Sequence, residues 1–285
     1  MYGEIVTLTD MGHIKEIQYL SKMNTQARIK KLDKHRYMVL ETGEIKEYSH
    51  IENRSESENS LYQTFKKLRY LINNNFYGKP NELFLTLTYA ENMRDRERLY
   101  DDVRKFLMRF RYKYGKNLDY LNIVEPQARG AWHCHLLLRF NDLKKVYIPN
   151  EEIRNIWGHG FVKVNRLNNV DNIGAYLSAY LADVELTDDT VSVALMENKK
   201  IVKKKVGNEE KAFIKGGRLK YYPAGMNLFR KSKGIKYPDR EKMRYEKAKK
   251  RVGSLQPTHF SENEIKLSDD DSINIIFQEY NSKRL

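Results

Sequence analysis

The chain is short of the residues that mark several protein classes. Among 285 residues there is one cysteine, Cys134, which excludes an internal disulfide framework and suits a reducing cytoplasm. No apolar run approaches the ~20 residues that a membrane span needs. The first residues lack the apolar stretch of a secretion signal. The expected location is therefore the cytoplasm, with no membrane partner. There is no Gly-x-x-x-x-Gly-Lys-Ser/Thr loop, which argues against an intrinsic NTPase or helicase. Repeats and low-complexity segments are also missing. With 40% hydrophobic and 32% charged residues, the chain is polar, yet it holds enough apolar side chains for a sizeable core.

What it has in excess is positive charge, 52 Lys and Arg against 38 Asp and Glu, for a net +14. The excess is local. Residues 1–195 carry 29 basic and 26 acidic side chains, residues 196–253 carry 20 and 6, and residues 254–285 carry 3 and 6. A basic stretch so concentrated reads as a polyanion-binding surface, with a solvated charged face as the plainer alternative. Lys203, Lys204, Lys205, Lys220, Arg230, Lys231 and Lys233 are the candidate phosphate contacts. Tyr221 and Tyr222, beside Lys220, are candidates for stacking on bases or for ordinary packing.

Hydrophobic spacing sets the organisation. Residues 1–50 read as strands, with a hairpin around Gly43. Leu61, Phe65, Leu68 and Ile72 recur at helical spacing, and Leu83–Tyr89 reads as a buried strand. Leu99, Val103, Phe106, Leu107 and Phe110 form a stripe over a helix from Arg96 to Tyr114, ended by Gly115. Leu118–Glu125 and Ala131–Phe140 form an antiparallel hairpin. Then come helix Glu151–Trp157, strand Phe161–Val164 and helix Val170–Ala182. This order predicts an α+β fold, an antiparallel sheet with helices packed on it. Four segments follow: a β-rich stretch over 1–55, a main domain over 56–190, a basic extension over 191–253 with a helix at Asp239–Arg251, and a flexible acidic tail over 254–285.

Two places carry chemistry. On a strand, His133 and His135 project to one face while Trp132, Cys134 and Leu136 face the other. Glu125, on the preceding strand of the hairpin, falls beside both imidazoles in either pairing. Two imidazoles and a carboxylate make a divalent-metal site, suited to Mn²⁺ or Mg²⁺ as readily as Zn²⁺, or a plain hydrogen-bonded Glu–His cluster. The second place is Tyr176 and Tyr180, four apart on one helix face, either a pair of nucleophiles or aromatic packing.

Taken in order, Phe84-Leu-Thr-Leu-Thr-Tyr89, Glu125 with Gly130-Ala-Trp-His-Cys-His135-Leu-Leu-Leu138, and Tyr176-Leu-Ser-Ala-Tyr180 resemble the three motifs of the HUH endonucleases, specifically the two-tyrosine rolling-circle replication initiators of bacterial plasmids and single-stranded DNA phages. The resemblance covers about residues 80–185. It implies a five-stranded antiparallel sheet, a metal bound by Glu125, His133 and His135, and nicking and joining of single-stranded or hairpin origin DNA. Tyr176 is expected to attack first and Tyr180 second, through a 5′-phosphotyrosyl intermediate, with a host helicase and DNA polymerase as partners. The chain departs from the family at Ala179 and Asp183, where lysines are usual, so a cation from elsewhere, such as Lys163 or Arg166, is expected to serve the phosphate. A mobilisation relaxase or transposase of the same superfamily, or a non-catalytic DNA-binding regulator, are the alternatives.

Overall fold

The computed structural model describes residues 3–22, 28–48, 58–127, 130–167, 172–174, 177, 183–186, 201–206, 209–214, 216–223, 225–268 and 271–284. The chain divides into two compact units, one from residues 1–52 and 239–285, the other from residues 53–238. This differs from a linear run of four segments, because the two ends of the chain share one sheet.

In the end-derived unit, β1 (Ile5–Asp10) and β2 (Ile14–Leu20) pair around a turn in which the Gly12 N–H donates to Asp10 Oδ1 at 2.9 Å. Val6, Leu8 and Ile17 alternate into the core, as a half-buried strand demands. A small sheet of β3 (Ile29–Lys31), β4 (Arg36–Val39) and β5 (Ile45–Glu47) contains the hairpin expected around Gly43, with Arg36 opposite Glu47.

The other unit begins with α1 (Glu58–Asn75), β6 (Glu82–Thr88), α2 (Arg96–Tyr114), β7 (Leu118–Pro126), β8 (Trp132–Phe140), α3 (Asn150–Trp157) and β9 (Val162–Asn165). It continues with β10 (Val184–Glu185), β11 (Ile201–Val206), β12 (Glu209–Ile214) and β13 (Phe229–Lys231). The order β13-β7-β8-β6-β9 makes the expected five-stranded antiparallel sheet, and β10-β12-β11 forms a second, smaller one. Asp95 caps α2 by accepting from the N–H groups of Glu97 and Arg98, and the Gly115 N–H closes its last turn on Arg111 O. The apolar stripe of α2, with α3, covers one face of the large sheet, over Leu85, Leu87, Val124, Cys134 and Leu136. The opposite face carries Phe84, Leu121, Ile123 and Leu137 under Leu68, Leu71 and Ile72 of α1. Helices on both faces explain why β6 reads as one apolar run.

The chain then returns to the first unit with β14 (Asp239–Arg244), α4 (Tyr245–Val252), β15 (His259–Ser268) and β16 (Asp271–Asn281), which complete a sheet of order β14-β1-β2-β16-β15. Two expectations are corrected here. The helix expected over Asp239–Arg251 starts only at Tyr245, because residues 239–244 pair with β1 along a charged edge where Met243 alone is buried. The tail expected to be flexible is a hairpin, held by β16 pairing with β2 and by burial of Gln278, Glu279, Tyr280 and Asn281. Among the described residues no helix is long and apolar enough to cross a membrane.

Candidate active site

The register of β6–β9 assembles the site. Directly opposed residues of antiparallel strands share a face. One row across all five strands of the large sheet reads Phe229, Ile123, His135, Thr86 and Lys163. The next row sets Glu125 opposite His133, with Thr88 on the far side of His133. The two histidines therefore share a face with Glu125, and Trp132, Cys134 and Leu136 sink into the core beneath α2, as the alternation requires. Cys134 is fully buried, its thiol donating to Asn122 Oδ1 at 2.7 Å, and burial pushes its ionisation up and out of reach.

Glu125 is at the centre. Its side chain is 6% exposed, and one oxygen accepts from His135 Nε2 while the other meets Arg218 Nη1. Burial raises the carboxyl, but the charge and hydrogen bond of His135, with Arg218 and His133, outweigh it and hold Glu125 below the ordinary carboxylate value. On the other side of the His135 ring, Thr86 Oγ1 lies 3.2 Å from Nδ1, and Phe84 stacks on the ring at 5.4 Å between centroids. The His133 ring stands edge-on to that of His135 at 6.3 Å.

Arg218 was not nominated from sequence, and its geometry shows why. The segment after β12 turns at Gly216, whose φ of +70° suits glycine and whose N–H donates to Asp183 Oδ1 at 2.7 Å. Arg218 Nε donates to Asp183 O at 2.8 Å and Nη1 to Pro126 O at 2.9 Å. Leu219 and Tyr222, both buried, pin the segment against the core beside Trp132. The partners of Arg218 lie 35 and 93 residues away, so no local spacing signals them.

By kind and by register, Glu125, His133 and His135 are a donor set for a divalent ion. Their present arrangement is not. Among the described residues no three His, Cys, Asp or Glu side chains are placed to hold a metal ion, and both Glu125 oxygens are engaged.

The remaining nominated residues are dispersed. Tyr176 and Tyr180 lie outside the described residues, as do Lys199, Lys200 and the side chains of Lys204, Lys205 and Lys220. Near the tyrosines, Ile173 and Leu177 are buried on the α1 face beside Phe84 and Ile123. Asn73 of α1 holds this stretch, donating to Asn172 Oδ1 at 3.0 Å and accepting from the Gly174 N–H at 2.8 Å. Lys163 is exposed in the His135 row, and Arg166 donates to Val146 O at 3.2 Å. Lys203 sits on the smaller sheet, 3.5 Å from Glu210. Arg230 lies over the Tyr100 ring at 3.8 Å on the α2 face, Lys231 donates to Ile235 O, and Lys233 is exposed in a turn. Tyr222 is fully buried, which excludes it from stacking on bases. His159 packs against Trp157 and Tyr89, 3.5 Å from Asp102 Oδ1, a structural role.

Residues 82–185 match a family model of replication-associated proteins, the ORF2 type. The matched stretch runs from the start of β6 to the end of β10, so it contains Glu125, His133, His135 and Lys163 and the positions of Tyr176 and Tyr180. It supports a role in DNA replication, with DNA as partner. No curated protein and no solved structure matches the chain.

Proposed function

We propose that the protein initiates rolling-circle replication by nicking and rejoining single-stranded origin DNA with a tyrosine nucleophile. The observation that carries this reading is the pairing of Glu125 with His133, with His135 on the same face, inside the stretch that matches the replication-associated family. In the proposed step the phenol oxygen of Tyr176 attacks the phosphorus in line. The P–O3′ bond breaks, the 3′-oxygen leaves as the hydroxyl of the primer end, and the 5′ phosphate remains esterified to the protein. One ester replaces another of similar energy, so no nucleotide is consumed and the step reverses to rejoin strands. Tyr180 serves the second cut.

The chain's own residues supply three things. Lys163, exposed in the His135 row, offers charge to the phosphate. Thr86 and Phe84 fix the plane of His135. Asn73 fastens to α1 the backbone that leads into Tyr176. When Glu125, His133 and His135 hold Mn²⁺ or Mg²⁺, the chemistry gained is neutralisation of the non-bridging phosphate oxygens.

The test is a denaturing gel of the full chain incubated with Mn²⁺ and a labelled single-stranded oligonucleotide from its own origin. A covalent adduct that survives Tyr180→Phe and disappears in Tyr176→Phe is the expected result. Loss only in Tyr180→Phe reverses the order of the tyrosines. Absence of any adduct with the unaltered chain favours a DNA-binding regulator, the reading to which Ala179 and Asp183 lend weight.

A further inference from the structure

Glu125 is too deeply buried to stand as a carboxylate without a cation, and the cation it has is Arg218. This arginine is not a surface side chain that happens to reach inward. Its side chain is 13% exposed, and three acceptors hold it: Glu125, Pro126 O and Asp183 O. Asp183 is itself buried, and it accepts the Gly216 N–H as well, so one residue grips both the turn and the guanidinium.

We propose that Arg218 is the resident counter-ion of Glu125, and that a divalent ion loads the site only by displacing it. The proposal rests on the metal reading of Glu125, His133 and His135 given above. A guanidinium and a dication repel each other, so they cannot share this carboxylate at full strength, and metal affinity is set by exchange rather than by the three donors alone. The released guanidinium stays tethered through Asp183 O beside the site, where a DNA phosphate offers it a new acceptor. Metal and single-stranded DNA then bind cooperatively, each favouring the arrangement in which Arg218 has left Glu125.

The experiment titrates Mn²⁺ into the full chain without DNA and reads free Mn²⁺ by electron paramagnetic resonance, with circular dichroism to check folding. Arg218→Gln is expected to bind Mn²⁺ at least tenfold more tightly than the unaltered chain. Arg218→Lys keeps a charge but cannot span Asp183 O and Glu125 together, and is expected to gain about threefold. It decides the matter if Arg218→Gln does not fold. Adding a phosphodiester-bonded dT oligonucleotide is expected to raise Mn²⁺ affinity in the unaltered chain and to have little effect in Arg218→Gln. Equal or weaker Mn²⁺ binding by the folded variants overturns the exchange and leaves the metal reading standing. No Mn²⁺ binding by any of the chains overturns the metal reading itself, and the exchange with it.

Discussion

Glu125 shows how much one buried carboxylate is asked to do. It is held ionised by His135, Arg218 and His133 against the pull of burial, so its folded-state pKa lies below the unfolded one. A group shifted in that direction contributes stability that is present above the ordinary carboxylate range and is lost as pH falls through the folded value. Glu125→Gln removes that contribution and leaves the Arg218 guanidinium without its carboxylate, a loss of about 3 kcal/mol at pH 7 by analogy with broken buried pairs. Urea denaturation at pH 7 and at pH 3.5 is expected to show a wide gap between Glu125→Gln and the unaltered chain at the higher pH and a narrower one at the lower. A gap independent of pH would contradict the charged pairing. His133→Ala, on the same face but half-buried, is expected to abolish the adduct while its circular dichroism spectrum stays native.

At the scale of elements, the site depends on how the segment before Tyr176 meets α1. A Cβ on Gly174 would lie 2.7 Å from Asn73 Oδ1 and 2.8 Å from Arg69 O, and the second of these is backbone that cannot swing aside. Gly174→Ala is therefore expected to push the segment off α1. A displacement of about 1 Å in a reacting group costs on the order of 10²-fold in rate, so adduct formation should fall by that order while oligonucleotide affinity holds. Asp95→Ala, which uncaps α2 on the other face, is the contrasting case: it should cost about 1 kcal/mol of stability and leave the adduct rate unchanged. If both substitutions slow the adduct equally, the docking of residues 172–177 has no special role. Elements with a strong apolar period were legible in advance. The stripe of α2, the buried run of β6 and the alternation of β8 each carry their burial in the spelling, and with them came the shared face of Glu125, His133 and His135. β14 was not legible, since a charged edge strand owes its form to its partner β1 rather than to its own pattern. Nor was Arg218, whose role depends on acceptors far off in the chain.

Over the whole molecule, the charge excess does not sit on one domain. Residues 201–238 of the basic stretch belong to the unit that holds Glu125 and the histidines, and residues 239–252 to the unit built from the chain ends. Charge along β14 has a plain use there, because it guards a sheet edge against pairing with another chain. The lysines of β11 have no such duty: Lys203 is largely exposed and pairs only with Glu210, across a distance that is worth little in water. If Lys203, Lys204 and Lys205 meet DNA phosphates, each releases counterions on binding. The slope of log affinity against log salt should then fall by about 0.7 for each lysine removed, or roughly 2 for the triple alanine variant on a single strand. The loss should be the same for every oligonucleotide sequence, because phosphates carry no sequence. The same three substitutions made at Arg240, Lys242 and Arg244 of β14 should leave the slope nearly unchanged. Fluorescence anisotropy with a labelled dT oligonucleotide between roughly 50 and 300 mM salt separates the two surfaces. A slope that drops only for the β14 variant would move the DNA path onto the other unit and away from the histidines.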